Sequence, residues 1–291
     1  MALSGLEIFK LLPKTNCGDC GVPTCMAFAM KLAQKKAELT ECPHASEEAK
    51  AALGAASEPP IRLVKIGGSN ALEIGNETVM FRHDKTFFHQ TGIAVELRTS
   101  EGHSHLREKI EDIENYKVER VGEELFVDLF FVNHDDQNGD NFLDTIQAVK
   151  QNSSKGIILF CPDVELLKNG LEICRDDRPS VFLKKEASDQ EFELAKAYNA
   201  SLILTAQSFE SLAAQAEKAR ESGVSDLILN LESEEAGCLV EKNTVLRRSA
   251  LKKSFKPFGY PLFFYIRADN PYEALADASV MLCKYGSVIV L

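Results

Sequence analysis

Four cysteines crowd the start of this 291-residue chain: Cys17, Cys20, Cys25 and Cys42, spaced Cys-x2-Cys-x4-Cys-x16-Cys, with Pro43 directly after the last. Thiolates are soft, electron-rich donors, and four of them suit an iron–sulfur cube or a structural zinc ion. Zinc sites usually pair two short Cys-x2-Cys knuckles. Here one knuckle exists, and the third cysteine follows after four residues. Gly18 and Gly21 flank Cys20, which lets the backbone curl round an inorganic core and point N–H groups at sulfide. Pro23 helps fix the loop. The spacing therefore favours a 4Fe-4S cluster held by Cys17, Cys20, Cys25 and Cys42 over zinc or no metal. A purely structural cluster that pins small helices fits the same residues. His44, after Cys42-Pro43, reads as a surface histidine rather than a hydrogen-bond partner of the cluster.

The elements that must position these thiols are short. Ser4 with Glu7 forms a capping box for a helix that must end before Pro13. Apolar positions at Cys25, Phe28, Ala29, Leu32, Ala33 and Leu39 predict a helix over 25–39. A third helix is expected from Ser46 to Gly54, followed by a linker at 55–60 that ends in Pro59-Pro60. The predicted cluster domain, residues 1–57, is too small to bury much apolar surface, and such units usually need a metal or disulfides. The other four cysteines, Cys161, Cys174, Cys238 and Cys283, are scattered and read as small buried apolar residues.

From residue 58 the pattern changes. Apolar runs recur at 79–82, 125–132, 157–161, 181–184, 201–205, 226–231, 261–266 and 287–291, with helical stretches such as 190–199, 208–221 and 272–284 between them. Runs such as Gly156-Ile-Ile-Leu-Phe lack alternation and suit strands buried on both faces of a parallel sheet. Eight strands with intervening helices predict an α/β domain of the (β/α)8 TIM-barrel type over 58–291, with an open doubly wound sheet as the alternative. The segment 61–98 allows a hairpin that would move the first barrel strand to 93–98. Ending on Val288-Ile-Val-Leu291, the sequence reads as stopping before the barrel's last helix.

Charge and hydropathy narrow the function classes. Residues 1–57 are neutral, and the rest carries the whole net charge of −11, which argues against nucleic acid as the main partner. No apolar run approaches the roughly 18 residues needed to span a bilayer. The N-terminus contains Glu7 and lacks a small-residue cleavage site, so a cytoplasmic, reducing setting is expected.

Other candidates carry bland readings beside the sharper ones. His134-Asp135-Asp136 follows a strand at the expected mouth and, with Asp128, has the groups for a metal or acid–base site. A polar loop with Asp140 capping the next helix is the preferred reading. His83, His89, His103 and His105 show no ligand spacing, and His103 and His105 open a charged, solvated helix. Cys161 before Pro162 is read as buried rather than facing the mouth. Arg247, Arg248, Lys252, Lys253 and Lys256 form a basic patch read as a solvated helix face. Gly67-Gly68 and Asn138-Gly139 are turn signals, and no phosphate-loop pattern follows any strand.

The stretch Leu12-Pro-Lys-Thr-Asn-Cys-Gly-Asp-Cys-Gly-Val-Pro-Thr-Cys-Met-Ala-Phe-Ala, followed by Glu41-Cys-Pro, resembles the iron–sulfur domain of the corrinoid/iron–sulfur protein, in particular its large (gamma) subunit in the acetyl-CoA decarbonylase/synthase system. The opening Leu3 to Pro13, the Glu58-Pro-Pro linker and Val79-Met-Phe-Arg-His-Asp-Lys-Thr-Phe are similar too. The resemblance implies the large subunit of a heterodimer with a small corrinoid/iron–sulfur subunit, acting as an anaerobic methyl carrier in one-carbon metabolism. A methyltetrahydrofolate-dependent methyltransferase, or a pterin-dependent one, supplies a methyl group to cob(I)amide. Acetyl-CoA synthase receives it, and the 4Fe-4S cluster restores oxidised cobalt with electrons from a ferredoxin or reductive activator. It also implies a C-terminal corrinoid domain that this sequence lacks, so no corrinoid contact and no catalytic residue is assigned here. Two other readings stay open: an iron–sulfur electron-transfer adaptor with a scaffold barrel, and a barrel methyltransferase that binds folate or pterin in its own mouth.

Overall fold

Strands that are apolar on both faces need cover on both, and a closed barrel wrapped by helices supplies it. The computed structural model describes residues 4–33, 37, 39–46, 49, 59–81, 84, 88–233, 235–268 and 270–291, and the chain divides into two compact units, Met1–Pro59 and Pro60–Leu291.

In the first unit, helix α1 (Gly5–Leu11) starts at the Ser4/Glu7 capping box and ends ahead of Pro13. Helix α2 (Cys25–Ala33) is shorter than its apolar period predicted. A 3-10 turn at Leu39–Glu41 precedes Cys42. The helix expected over 46–54 and the linker from 55 fall largely outside the described residues.

The second unit is a closed barrel of eight parallel strands: β3 (Gly92–Arg98), β6 (Leu129–Asn133), β7 (Gly156–Phe160), β8 (Ser180–Phe182), β9 (Ser201–Ala206), β10 (Leu227–Leu231), β11 (Leu262–Tyr265) and β12 (Gly286–Val290). Helices α3 (His103–Asn115), α4 (Gly139–Asn152), α5 (Val164–Ile173), α6 (Asp189–Ala197), α7 (Phe209–Glu221), α8 (Ala236–Lys253) and α9 (Pro271–Cys283) follow successive strands. Two corrections concern the strands. Residues 79–81 form no barrel strand, and the alternative for 61–98 holds: a hairpin of β1 (Val64–Ile66) and β2 (Leu72–Ile74) comes first, and β3, over 92–98, closes the ring against β12. The apolar run 125–132 is two elements. Its start belongs to an exposed hairpin of β4 (Lys117–Arg120) and β5 (Glu123–Phe126), and β6 begins only at Leu129. Similar hydrophobicity hid a change from solvent-exposed ribbon to barrel wall.

Side chains fill the barrel. Phe131, Phe182 and Phe263 meet in its interior, with ring centroids 5.7 Å apart for Phe131–Phe182 and 5.3 Å for Phe182–Phe263. Val64, Ile66 and Ile74 of the first hairpin join that interior cluster and so stop the lower end. Gly67 makes the turn possible at φ 109°, where a Cβ would also lie 3.3 Å from the backbone of Gly156.

The hairpin plug is latched by a buried ion pair. Glu77 follows it, and its carboxylate accepts a 2.9 Å hydrogen bond from the Arg247 guanidinium of α8, with side-chain exposures of 7% and 2%. Arg247 also lies 5.3 Å from the Tyr285 ring centroid. Burial pulls the Arg247 pKa down and Glu77 opposes that shift. This corrects the basic patch: Arg247 points inward, whereas Arg248, Lys252, Lys253 and Lys256 are exposed. Removing one partner strands a buried charge, which costs about 3–5 kcal/mol. Urea unfolding of Glu77→Gln should show a loss of that size, and the double replacement Glu77→Leu with Arg247→Met should recover most of it.

Candidate functional site

The four clustered cysteines are free thiols on two segments of the first unit. Three lie on the loop between α1 and α2 and at its exit. The backbone there is unusual: Lys14, Asn16, Gly18 and Gly21 all have positive φ, at 60°, 50°, 83° and 72°. Asparagine and glycine tolerate that region; lysine does so at a cost. The loop is held by specific bonds. Asn16 Oδ1 accepts the Cys25 N–H at 2.8 Å, and the Gly21 N–H donates to the Gly18 carbonyl at 2.9 Å. Gly21 therefore spends its own N–H on the loop. Thr24 caps α2 through its hydroxyl, which accepts the Ala27 N–H at 3.1 Å. That leaves Cys25 as the first residue of the helix.

Cys42 arrives on the second segment. Its N–H donates to the Leu39 carbonyl, closing the 3-10 turn. Cys25 and Cys42 are buried with Ile8, Leu12, Val22, Phe28, Ala29 and Ala45, and half-buried Cys20 packs against them. Cys17 is exposed. The small core is thus partly made of thiols. Beside Cys17, His44 Nε2 donates to Asp19 Oδ2 at 2.7 Å, and the potential ligand atoms of Cys17, Asp19 and His44 all lie within 4.8 Å of one another. His44 was read as a plain surface histidine; it is exposed but partnered.

The barrel mouth carries a second polar group, which sequence reasoning missed. Glu96 of β3 is buried, and its carboxylate accepts from Asn133 Nδ2 of β6 at 2.6 Å, from Arg98 Nε at 2.8 Å and from the Tyr265 hydroxyl of β11. Asn230 Nδ2 donates to Thr205 Oγ1 at 3.1 Å. Burial, reinforced by Glu96, pushes the Tyr265 phenol up to about 12. Arg267 stacks 4.5 Å from the Tyr265 ring centroid. The signal was available: Glu96 interrupts the apolar run Ile93-Ala-Val-Glu-Leu, and Asn133 closes the run that starts at Leu129. These groups converge on one another.

The candidates at 128–136 separate. Asp128 precedes β6 at the end opposite the mouth, where it accepts the Ile93 N–H at 2.8 Å. Asp135 accepts from Ser100 N at 2.9 Å, Ser100 Oγ at 2.6 Å and Thr99 Oγ1 at 3.3 Å. Asp136 lies 3.4 Å from His134 Nδ1 and accepts from Asn141 Nδ2 at 2.7 Å. The bonds of Asp135 and Asp136 to Ser100, Thr99 and Asn141 pin a polar loop, whereas the buried His134 Nδ1 has no hydrogen-bond partner among the described residues. The cap of α4 is Asn138, however, and Asp140 is its first-turn acid. Asn138-Gly139 is thus a helix start rather than a free turn. His103 and His105 open the exposed start of α3, His89 is half-buried elsewhere, and His83 lies outside the described residues.

Residues 61–291, most of the barrel unit, match the family model described as CO dehydrogenase/acetyl-CoA synthase delta subunit. The chain belongs to that family. Residues 12–44 match a second model, of Fe-S cluster segments. The corrinoid/iron-sulfur protein large subunit of Moorella thermoacetica is 37% identical over 293 residues, covering 100% of this chain and 66% of the relative. The acetyl-CoA decarbonylase/synthase complex subunit gamma of Methanocaldococcus jannaschii is 29% identical, covering 89% of this chain and 55% of that one. The chain therefore spans less than two thirds of these relatives' length. Among solved structures, the dihydropteroate synthase of Vibrio fischeri superposes with a TM-score of 0.56 at 12% identity, over 78% of this chain and 92% of that one. At that identity the likeness is one of barrel fold. Among the described residues of this family member, no helix is long and apolar enough to cross a membrane.

The scattered cysteines of the family member divide. Cys161 and Cys174 are buried in the strand–helix layer, and burial pushes their thiols up to about 11 and about 12. Cys238 is half-buried and Cys283 exposed, contrary to expectation, because α9 buries only Met281. At pH 8 alkylation should reach Cys283 more than about tenfold faster than Cys161 or Cys174, as peptide mapping would show. At Asp135, burial raises the pKa but is outweighed by the Ser100 and Thr99 donors, so the net shift is downward. Its stabilisation is present above the unfolded carboxylate value and is lost as pH falls through the lower folded value. Asp135→Asn should therefore lower the melting midpoint at pH 7, with the difference closing in acid.

Proposed function

We propose that this chain is the cluster-bearing barrel part of a corrinoid methyl carrier. In this reading it works with a small corrinoid/iron–sulfur subunit and takes a methyl group from methyltetrahydrofolate, or a pterin analogue, through a separate methyltransferase. Acetyl-CoA synthase receives the group, and a ferredoxin or reductive activator supplies electrons. The observation that carries the proposal is the thiol-built core of the first unit joined in one chain to a barrel of this family.

The donor set fits a 4Fe-4S cluster. Cys17, Cys20, Cys25 and Cys42 are free thiols, and Cys20, Cys25 and Cys42 share one packed patch. Among the described residues, no three cysteine sulfurs lie within 4.8 Å of one another. A single zinc ion, at about 2.3 Å per bond, holds its thiolates closer than that. When bound, the cluster supplies one low-potential electron, the chemistry that returns an oxidised corrinoid to its methyl-accepting state. The chain's own contribution is to present three thiols from the packed patch and one from an exposed loop, and to shape the loop through Asn16, Gly18 and Gly21. The barrel mouth supports a scaffold role better than folate or pterin binding, because the Glu96 carboxylate is already taken by the Asn133 amide, the Arg98 guanidinium and the Tyr265 hydroxyl.

Anaerobically purified protein should hold about four irons per chain and show a paramagnetic signal on reduction. Zinc in their place would refute the cluster assignment. In the full complex, Cys20→Ala should abolish reductive activation of oxidised corrinoid while methyl transfer from preformed cob(I)amide survives. Equal loss of both would count against this division of labour.

A further inference from the structure

The cluster ligands proposed above come from two segments, and their relative position is the geometric problem of the site. Cys17, Cys20 and Cys25 are local to one another; Cys42 is separated from Cys25 by 16 residues and directly follows a separate 3-10 turn. Closing a loop of that length costs entropy, which something must offset if the fourth thiol is to stay in reach when no metal holds it. Shared packing of Cys25 and Cys42 draws the buried sides together. The exposed side has a different device. Asp19, between Cys17 and Cys20, faces His44, two residues past Cys42, and Nε2 donates to Oδ2 at 2.7 Å across 25 residues of sequence.

We infer that Asp19 and His44 form a polar clasp that holds the Cys17–Cys20 loop against the Cys42 segment and so governs retention of the cluster. The inference rests on the cluster assignment above. Both residues flank ligand positions on opposite segments, and their polar atoms lie within 4.8 Å of Cys17 Sγ, the exposed thiol of the set. Pro43 stiffens the short link from Cys42 to His44, so a fixed His44 fixes Cys42. An exposed pair adds little to global stability. Its side chains are 49% and 52% exposed, so breaking it leaves the apolar patch of Ile8, Phe28 and Ala29 in place. Asp19 and His44 are positioning residues: they act on the cluster through the segments that carry its ligands.

The test uses the full chain, reconstituted anaerobically with iron and sulfide. It follows loss of the cluster's visible absorbance under an excess of chelator. His44→Ala should speed that loss about two- to fivefold, the range an exposed charge-assisted pair supports. Asp19→Ala should match it, and the double variant should be no faster than either single one. His44→Gln, whose amide can still donate to Asp19, should restore retention. The melting midpoint of the cluster-free chain should be the same for all four variants. Equal loss rates in wild type and His44→Ala, or a His44→Gln variant as labile as His44→Ala, would overturn the clasp while leaving the cluster assignment intact. A wild-type chain that takes up no iron and sulfide would overturn both.

Discussion

A ring of eight parallel strands has no edge to protect, but its interior has a fixed width, and every side chain on the inner face competes to fill it. In this protein large aromatic side chains do most of the filling. Phe131, Phe182 and Phe263 meet near the middle, and Phe160 and Tyr265 pack above them. The lower opening is stopped by three aliphatic side chains of a hairpin rather than by the barrel's own strands. Once the interior is filled in this way, the polar groups that reach the upper layer have each other as nearest partners. Glu96 takes three donors, one of them a phenol that burial keeps protonated. A mouth organised like this holds the ends of β3, β6 and β11 in place.

The same constraint explains why a charged pair sits inside the second unit. A hairpin plug contributes few residues of its own, and a two-stranded ribbon is marginal alone. Glu77 and Arg247 join the segment after that ribbon to the longest helix of the wall. A buried ion pair of this kind adds modest net stability, since desolvation consumes most of the attraction. Its value lies in the penalty for any arrangement that separates the two charges, which ties the segment leaving the plug to one place on α8.

The barrel was legible in the sequence because its signal is repeated. Unalternating runs such as Gly156-Ile-Ile-Leu-Phe tolerate few other environments, and seven of the eight runs, with helices between, contribute barrel strands. What stayed hidden turned on partners distant in sequence. Arg247 sits among Arg248, Lys252 and Lys253, and nothing local distinguishes it from its solvated neighbours; its inward partners, Glu77 and Tyr285, are 170 and 38 residues away. The run 125–132 looks continuous because exposed Leu125 and Phe126 have the composition of a wall strand. At the cysteine loop the ligand pattern was plain, but the use of Gly21's donor within the loop depended on left-handed geometry that composition cannot specify.

On the proposed reading, the first unit has to meet two opposing requirements. A cluster is chemically safer when its thiols are buried, and an electron carrier works only when one side is approachable. The unit divides the task among its cysteines. Cys25 and Cys42 sit in the apolar patch and double as core residues, so losing the metal and loosening the core become one event. Cys17 stands at the surface with polar neighbours instead of an apolar cover. Residues 1–57 carry balanced charge, while the excess of acid lies entirely beyond them. The approachable side of the cluster site is therefore on the part of the chain that repels a negatively charged electron donor least.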